Sequence, residues 1–336
     1  MKMTELIISG GPDSEEPEDR GDTGPDVELR QLVFGSVQHG QRLDRALVEL
    51  VPEFSRSYLQ QLIDLGGVTI NGIVIHKPST RVKAADVGTI ELRPTPQSQA
   101  FKPETMALNV VFEDEHLMVI NKPAGLVVHP APGNWSGTLL NGLLARDAKA
   151  MNLPRAGIVH RLDKDTSGLM VVARTRPVMD ALIRSIAARE VSRQYVALAH
   201  GPWTGNRRVE INAPIGRDPR NRLRMAVVDL ARNPGKLART DVELLQNCDQ
   251  GCWVLCTLHT GRTHQIRVHM AMIGHPLVAD VLYGGRAEAG MQRQALHACR
   301  LAFTHPVTLE SMVFQASLPV DLNLALANWG LSYNQT

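Results

Sequence analysis

The stretch from Gly157 to Thr175, GIVHRLDKDTSGLMVVART, constrains this chain more than any other part of it. An apolar lead, Ile158 and Val159, runs into a knot of charged and hydroxyl residues: His160, Arg161, Asp163, Lys164, Asp165, Thr166 and Ser167. Gly168 breaks the knot and the β-type run Leu169 to Ala173 carries the chain away, so the pattern predicts strand, polar turn, strand. A charge partly withdrawn from water costs free energy unless it is paired. Such a cluster between buried strands is either a salt-bridged turn braced by its hydroxyls or a place where chemistry is done.

The chain around it has room for two domains, at 336 residues, and its 43% hydrophobic content supports a sizeable core. No run of eighteen apolar residues is present to span a membrane, and the start has no apolar core followed by a small-residue cleavage site. The cytoplasm is the expected location. Residues 1–30 hold nine acids and three bases, a net of −6, which leaves 33 bases against 25 acids, or +8, in the remainder. A basic body behind an acidic Gly/Pro-rich tail suggests a polyanion partner. Cys248, Cys252 and Cys256 recur every fourth residue, which fits no zinc-knuckle spacing. With Trp253, Val254 and Leu255 between them they predict a strand that buries Cys252, Val254 and Cys256 on one face.

Residues 1–30 are expected to be a disordered acidic tail. From there to residue 92 the pattern tightens. Leu43, Ala46, Leu47 and Leu50 fall at helical spacing, Pro52 stops that helix, and Ser55 caps a second carrying Tyr58, Leu59, Leu62 and Ile63. Short strands follow around the Asn71-Gly72 turn and near Thr89 to Leu92. This segment resembles the S4 RNA-binding domain through Arg42-Leu43-Asp44, Ser55-Arg56, Leu62-Ile63, Val68 and Asn71-Gly72, with Ala85 where that domain commonly has glycine. The resemblance implies RNA contacts from Arg42 and Arg56.

A Pro/Gln/Ser-rich linker, residues 93–104, leads to one larger domain, residues 105–336. There Asn121-Lys122-Pro123-Ala124-Gly125 opens an exposed loop that ends near His129, with Lys122 at its head. Val178 to Ala188 is expected to be a helix, and the strand Arg189 to Leu198 delivers Tyr195 to one surface. Arg217, Arg220, Arg222 and Arg224 crowd a basic loop whose natural use is phosphate contact. Then comes LHTGRTHQIRVHMAMIGHPLVADVLYG, residues 258–284. Its histidines at 264, 269 and 275 are spaced by five and six, which does not set three imidazoles on one helix face, so no metal is expected.

Four motifs in this order resemble the RluA-type pseudouridine synthases: Asn121-Lys122-Pro123-Ala124-Gly125 with His129, His160-Arg161-Leu162-Asp163 through Gly168, Arg193-x-Tyr195, and Gly261-Arg262-Thr263-His264-Gln265-Ile266-Arg267 through Gly274-His275-Pro276. The sequence departs from that pattern at Ala279, where glycine is usual before Asp280, at Val281 and at His259. The resemblance implies an α+β fold: a catalytic domain on a mixed, largely antiparallel sheet, preceded by the small S4-like domain. It implies uridine isomerisation in RNA, with 23S ribosomal RNA of the large-subunit precursor as partner and the helix 69 loop as target, because the chain is most similar to the subgroup that modifies that loop. No cofactor is called for, since the reaction consumes nothing.

By the same resemblance Asp163 is the reactive carboxylate, acting on the sugar as a nucleophile or abstracting a ribose proton to give a glycal. Arg262 is expected to hold it ionised, Tyr195 to lie over the flipped base, and Arg161 to fill the gap that the base leaves. His160, Lys122, Arg217, Arg220 and Arg222 join Arg161 as expected RNA contacts. Two other classes compete. A non-catalytic S4-type ribosome assembly factor would have no reason to keep Asp163, Tyr195 and Arg262 together. A hydrolase using His160 or His264 would need a nucleophile elbow or metal set that the sequence lacks.

Overall fold

The structure, a computed structural model, describes residues 28–92, 98–131, 133–221 and 223–333. The chain divides into two compact units, residues 1–97 and 98–336.

In the first unit, strand β1 (Glu28–Val33) precedes helices α1 (Leu43–Leu50) and α2 (Arg56–Asp64), and strands β2 (Val68–Ile70), β3 (Ile73–Val74) and β4 (Val87–Leu92) complete an antiparallel sheet in the order β1-β4-β2-β3. Leu43 and Leu47 of α1 and Leu59 and Ile63 of α2 pack with Val68 and Ile90 of the sheet. The Ser55 hydroxyl accepts the Tyr58 N–H and caps α2. Asn71 and Gly72, with φ of 49° and 79°, make the left-handed pair of a tight hairpin turn. The tail boundary expected at residue 30 moves: Glu28, Leu29 and Arg30 pair with Leu92, Glu91 and Ile90 of β4, because docking there satisfies their backbone groups in a ladder. Residues 1–27 of the expected tail and 93–97 of the expected linker lie outside the described residues. Ala85, where the related domains carry glycine, adopts a φ of 69°. That departure costs about 1 kcal/mol of strain and leaves the turn in place.

The second unit is a nine-stranded sheet, counted among the described residues. Its strands are β5 (Val110–Glu113), β6 (Leu117–Lys122), β7 (Ser167–Ala173), β8 (Ser192–His200), β9 (Arg208–Asn212), β13 (Arg239–Asn247), β14 (Gly251–Leu258), β15 (Leu296–Thr304) and β16 (Ser311–Gln315). A side sheet joins β10 (Ile215–Arg217), β11 (Met225–Val227) and β12 (Gly235–Lys236). The main order is β5-β6-β7-β15-β8-β14-β13-β9, with β16 on β15. The sheet is mixed and largely antiparallel: β7 and β15 run parallel over Ser167–His297 and Gly168–Ala298.

Alternation along the strands feeds two layers. Met118, Ile120, Met170 and Val172 face helices α3 (Leu139–Arg146) and α5 (Gln265–Met272). Leu117, Val119, Leu169 and Val171 face α4 (Arg176–Ala188), while Val196, Leu198 and Trp253 face α6 (Val320–Asn328). Cys252, Val254 and Cys256 share the first layer, as the strand pattern predicts. Gly168 starts the parallel pairing at a φ of 117°, and a Cβ there would lie 2.3 Å from the Ala298 carbonyl oxygen. Glycine lets β7 and β15 close up directly behind the polar turn.

Candidate active site

The polar turn hangs from the start of β7, and Ile158 in its lead forms a single bridge to Val172 where a longer strand was expected. Asp163 lies at the edge of the turn, its side chain 18% exposed. One Oδ of Asp163 is 3.2 Å from Nη1 of Arg267 on α5. The same guanidinium donates Nε and Nη2 to the two oxygens of Asp280 at 2.7 and 2.8 Å, and Asp280 is fully buried. The Tyr283 ring packs under it, 4.9 Å from its central carbon. Burial works against the charge of Arg267, yet the hydrogen bonds and charge of Asp280, and then of Asp163, outweigh it and raise its pKa. The cation beside Asp163 is therefore Arg267 and not the expected Arg262. Arg262 stands in the loop before α5, where its Nε donates to the Leu237 carbonyl at 3.0 Å. Arg267 lies inside the helix and is buried, 7% exposed.

His264 approaches Asp163 from the other side, its Nε2 4.0 Å from Oδ1. Tyr283 Oη accepts the Met225 N–H at 3.0 Å and lies 2.7 Å from His264 Nδ1. The Nδ1 end of the ring is thereby held on the phenol, and the Nε2 end is turned to the carboxylate. Burial pulls the imidazole below its ordinary pKa, with Asp163 opposing. His264 sits at a φ of 55°, and the loop it belongs to is pinned by Gln265. That side chain accepts from the Thr260 hydroxyl and the Arg262 N–H and donates to the Arg239 carbonyl and the Thr240 hydroxyl.

Tyr195 lies on β8 between Ala298 of β15 and Cys256 of β14, 5% exposed. Burial pushes its hydroxyl up to about 12; Arg193 pulls the other way and Asp163 adds to the rise. Arg161, next but one to Asp163, is exposed, and no carboxylate among the described residues pairs with it.

Two expected RNA contacts are turned inward. Lys122 is 1% exposed, and its ammonium donates to the carbonyls of Pro123, Leu126 and Lys164, each at 2.9 Å. It is not at the head of an exposed loop, because three carbonyls next to the turn need a donor apiece and an ammonium has three. Burial brings it down to about 8. His160 accepts the Val171 N–H on Nε2 at 3.1 Å, and burial lowers it to about 3, so it is a neutral strut and not a phosphate ligand. Further braces hold the turn. Arg293 donates to the Asp165 carbonyl at 2.9 Å and pairs with Asp321. Ser167 bonds His297 Nδ1 at 2.9 Å, and Gln294 donates to Thr166 at 3.3 Å.

Of the remaining basic residues, Arg217 and Arg220 are exposed around the β10–β11 hairpin, Arg224 is tied to Asp218, and Arg222 lies outside the described residues. In the first unit Arg42 and Arg56 both clasp the buried carboxylate of Asp44, while about half of each arginine side chain stays in solvent.

Sequence reasoning missed Arg267, Asp280 and Arg293. A signal was present for the first two: each is a lone charge in an apolar run, QIRVHMAM and LVADVL, and such charges must be paired when buried. Ala279, before Asp280, takes the left-handed φ of 60° that the usual glycine would take.

The family described as RNA pseudouridylate synthase matches residues 116–272, and the S4 domain matches residues 41–87. A relative from Neisseria meningitidis serogroup B, named ribosomal large subunit pseudouridine synthase D, is 48% identical over 296 residues, 84% of this chain and 77% of the relative. Proteins of the same name from Xylella fastidiosa and Yersinia pestis are 46% and 44% identical, covering 89% and 88% of this chain and 92% and 93% of their own. Among solved structures, human RNA pseudouridylate synthase domain containing 1 superposes with a TM-score of 0.52 at 28% identity, over 67% of this chain and 90% of its own.

Two outcomes follow from the braces. Lys122→Met leaves three carbonyls without a donor and should lower unfolding free energy by about 3 kcal/mol in urea titrations; a change under about 0.5 kcal/mol would deny it the bracing role. His160 and His297 are lowered by burial to about 3 and about 4 from an ordinary 6.5. Below pH 6.5 the unfolded chain binds protons that the folded chain does not. Stability should therefore be full above pH 6.5 and fall toward pH 4 by at most about 3 kcal/mol per pH unit for the pair, a slope that His297→Gln should reduce.

Proposed function

The chain belongs to the RNA pseudouridylate synthase family and isomerises uridines in RNA, and from that premise we propose its substrate and the roles of its residues. The substrate is 23S ribosomal RNA of the large-subunit precursor, with the helix 69 loop as target. Relatives at 44–48% identity named for the ribosomal large subunit support this, as do the S4 domain and the net +8 of the chain beyond residue 30. Such a substrate puts the work in the cytoplasm. The observation that carries the site assignment is Asp163 held by an arginine that Asp280 has already oriented.

The reaction breaks the bond from ribose C1′ to uracil N1 and forms one from C1′ to C5. Asp163 either bonds to C1′ as N1 departs or takes a ribose proton to give a glycal; both routes use one carboxylate at the sugar. Arg267 compensates the charge of Asp163 in a half-buried place where it would otherwise stand alone. Extruding the uridine from its stack costs roughly a few kcal/mol. The Tyr195 ring offers a stacking face that recovers about 1 to 3 kcal/mol of it, and the free Arg161 guanidinium takes the space vacated. Arg217, Arg220 and Arg222 contact phosphates, as do the N–H groups of Arg42 and Arg56 that Asp44 leaves unused.

Asp163→Asn should fold, bind large-subunit RNA as the parent does, and release no tritium from transcripts labelled at uracil C5, whereas Asp165→Asn should keep turnover. Arg267→Met should lose about 100-fold or more in single-turnover rate and Arg262→Met less than tenfold, in the range set by removing one charge-stabilising donor. Turnover by Asp163→Asn would sink the residue assignment. If the parent released tritium only from transfer RNA, the proposed substrate would be wrong.

A further inference from the structure

Two arginines of the described residues are buried, and they are treated in opposite ways. Arg267 is shared by two carboxylates. Arg193, 5% exposed on β8, meets none among the described residues, and its Nε is buried with no hydrogen-bond partner. A buried unpaired cation costs several kcal/mol, a cost that an anion formed on a bound substrate would remove.

The place of Arg193 says which anion. It stands two residues before Tyr195 on the same strand, which puts both side chains on one face. Its Nη1 lies so close under the loop carrying Arg262 and His264 that a Cβ on Gly261 would be 3.0 Å from it. Its charge is felt by the Tyr195 hydroxyl, which also feels Asp163. The guanidinium therefore lies beneath the Gly261 loop, on the face of β8 that carries the ring proposed to take the flipped base. At 5% exposure Arg193 is too covered for a hydrated phosphodiester, and the group that the proposed Tyr195 platform would bring beside it is the extruded base.

We infer that Arg193 is an electrostatic catalytic residue that receives the negative charge of the detached uracil. The inference rests on the isomerase reading with Tyr195 as the base platform. When C1′–N1 breaks, the bonding pair stays on N1 and spreads to O2 and O4, while C1′ gains a bond to Asp163 or the sugar gives Asp163 a proton. The uracil is then a monoanion. It turns, and C5 supplies the pair for the new C1′–C5 bond as the C1′–Asp163 bond breaks with its pair returning to the carboxylate, or as Asp163 returns its proton to the ribose; the C5 proton then leaves to solvent and N1 takes one up. Arg193 exchanges no proton in this sequence; it offsets the charge between the two bond changes.

The test compares Arg193→Met and Arg193→Lys with the parent in single turnovers on transcripts holding uridine or 5-fluorouridine at the target, read by nucleoside analysis. Fluorine withdraws electrons, so the detached fluorinated base holds its own charge better and needs the cation less. Arg193→Met should slow uridine consumption about 100-fold and 5-fluorouridine consumption less than about tenfold, with RNA affinity within about threefold, and Arg193→Lys should recover at least about tenfold on uridine. Equal losses on both substrates, with a lowered melting temperature, would make Arg193 structural and overturn the inference. Weakened binding at an unchanged rate, with a salt slope smaller by about one, would make it a phosphate contact and overturn it as well. Should Arg193→Met not fold, the same two-substrate ratio in Arg193→Lys decides: a ratio equal to the parent's overturns the proposal. A parent inactive on every RNA tried removes the isomerase reading itself, whereas an active parent with a fully active Arg193→Met removes this inference alone.

Discussion

The ion triad of Asp163, Arg267 and Asp280 sets the geometry on which the rest of the site depends. Asp280 takes two N–H groups of Arg267 at 2.7 and 2.8 Å and leaves a third, on Nη1, aimed at Asp163. A lysine could not do this, because a single ammonium has neither the fixed plane nor the donors at fixed angles to serve two carboxylates at once. The Tyr283 ring under the guanidinium fixes the plane further, and the same phenol orients His264. One aromatic residue thus sets both groups that flank Asp163.

A triad can hold a side chain only if the backbone below it is also fixed, and here two cations perform that task through carbonyls. Lys122, from the end of β6, donates to the Lys164 carbonyl, and Arg293, from the segment before β15, donates to that of Asp165. These are the two peptide oxygens that follow Asp163. The parallel pairing of β7 with β15 brings these parts together: His297 faces Ser167 across the two strands, and Gly168 allows the approach. Segments far apart in sequence meet at one end of one sheet, which is why the turn alone leaves open the choice between a braced salt-bridged turn and a place of chemistry.

Much of the fold was legible because its signals are local. Helical spacing in Leu43 to Leu50, the Ser55 cap, the Asn71-Gly72 turn and the strand carrying Cys252 to Cys256 each depend on neighbours within a few residues. Residues 28–30 were misplaced in the tail because their strand is decided by a partner about sixty residues away. The site was legible in its motifs and less so in its pairings. Arg262 and Arg267 are both arginines in one motif; only the phase of α5, which begins at Gln265, turns the second inward and leaves the first in the loop. Lys122 read as a surface cation since its acceptors are backbone oxygens, which have no sequence signature. His160 was misjudged likewise, through its bond to the Val171 N–H.

A protein that only bound RNA could keep its basic rim and dispense with this interior. Replacing a buried ion pair by packed apolar side chains is often neutral or stabilising by 1 to 4 kcal/mol. Binding alone would not be harmed if Arg267, Asp280 and Arg193 became leucines of fitting shape. The domain instead keeps Asp163 partly exposed, at 18%, beside a charged interior, and beneath the Gly261 loop it keeps an arginine that no carboxylate among the described residues meets. Charges placed this way stabilise neither fold nor complex on their own. They become useful when charge develops on a bound base, and that argument favours catalysis over the assembly-factor reading on energetic grounds, independently of any motif.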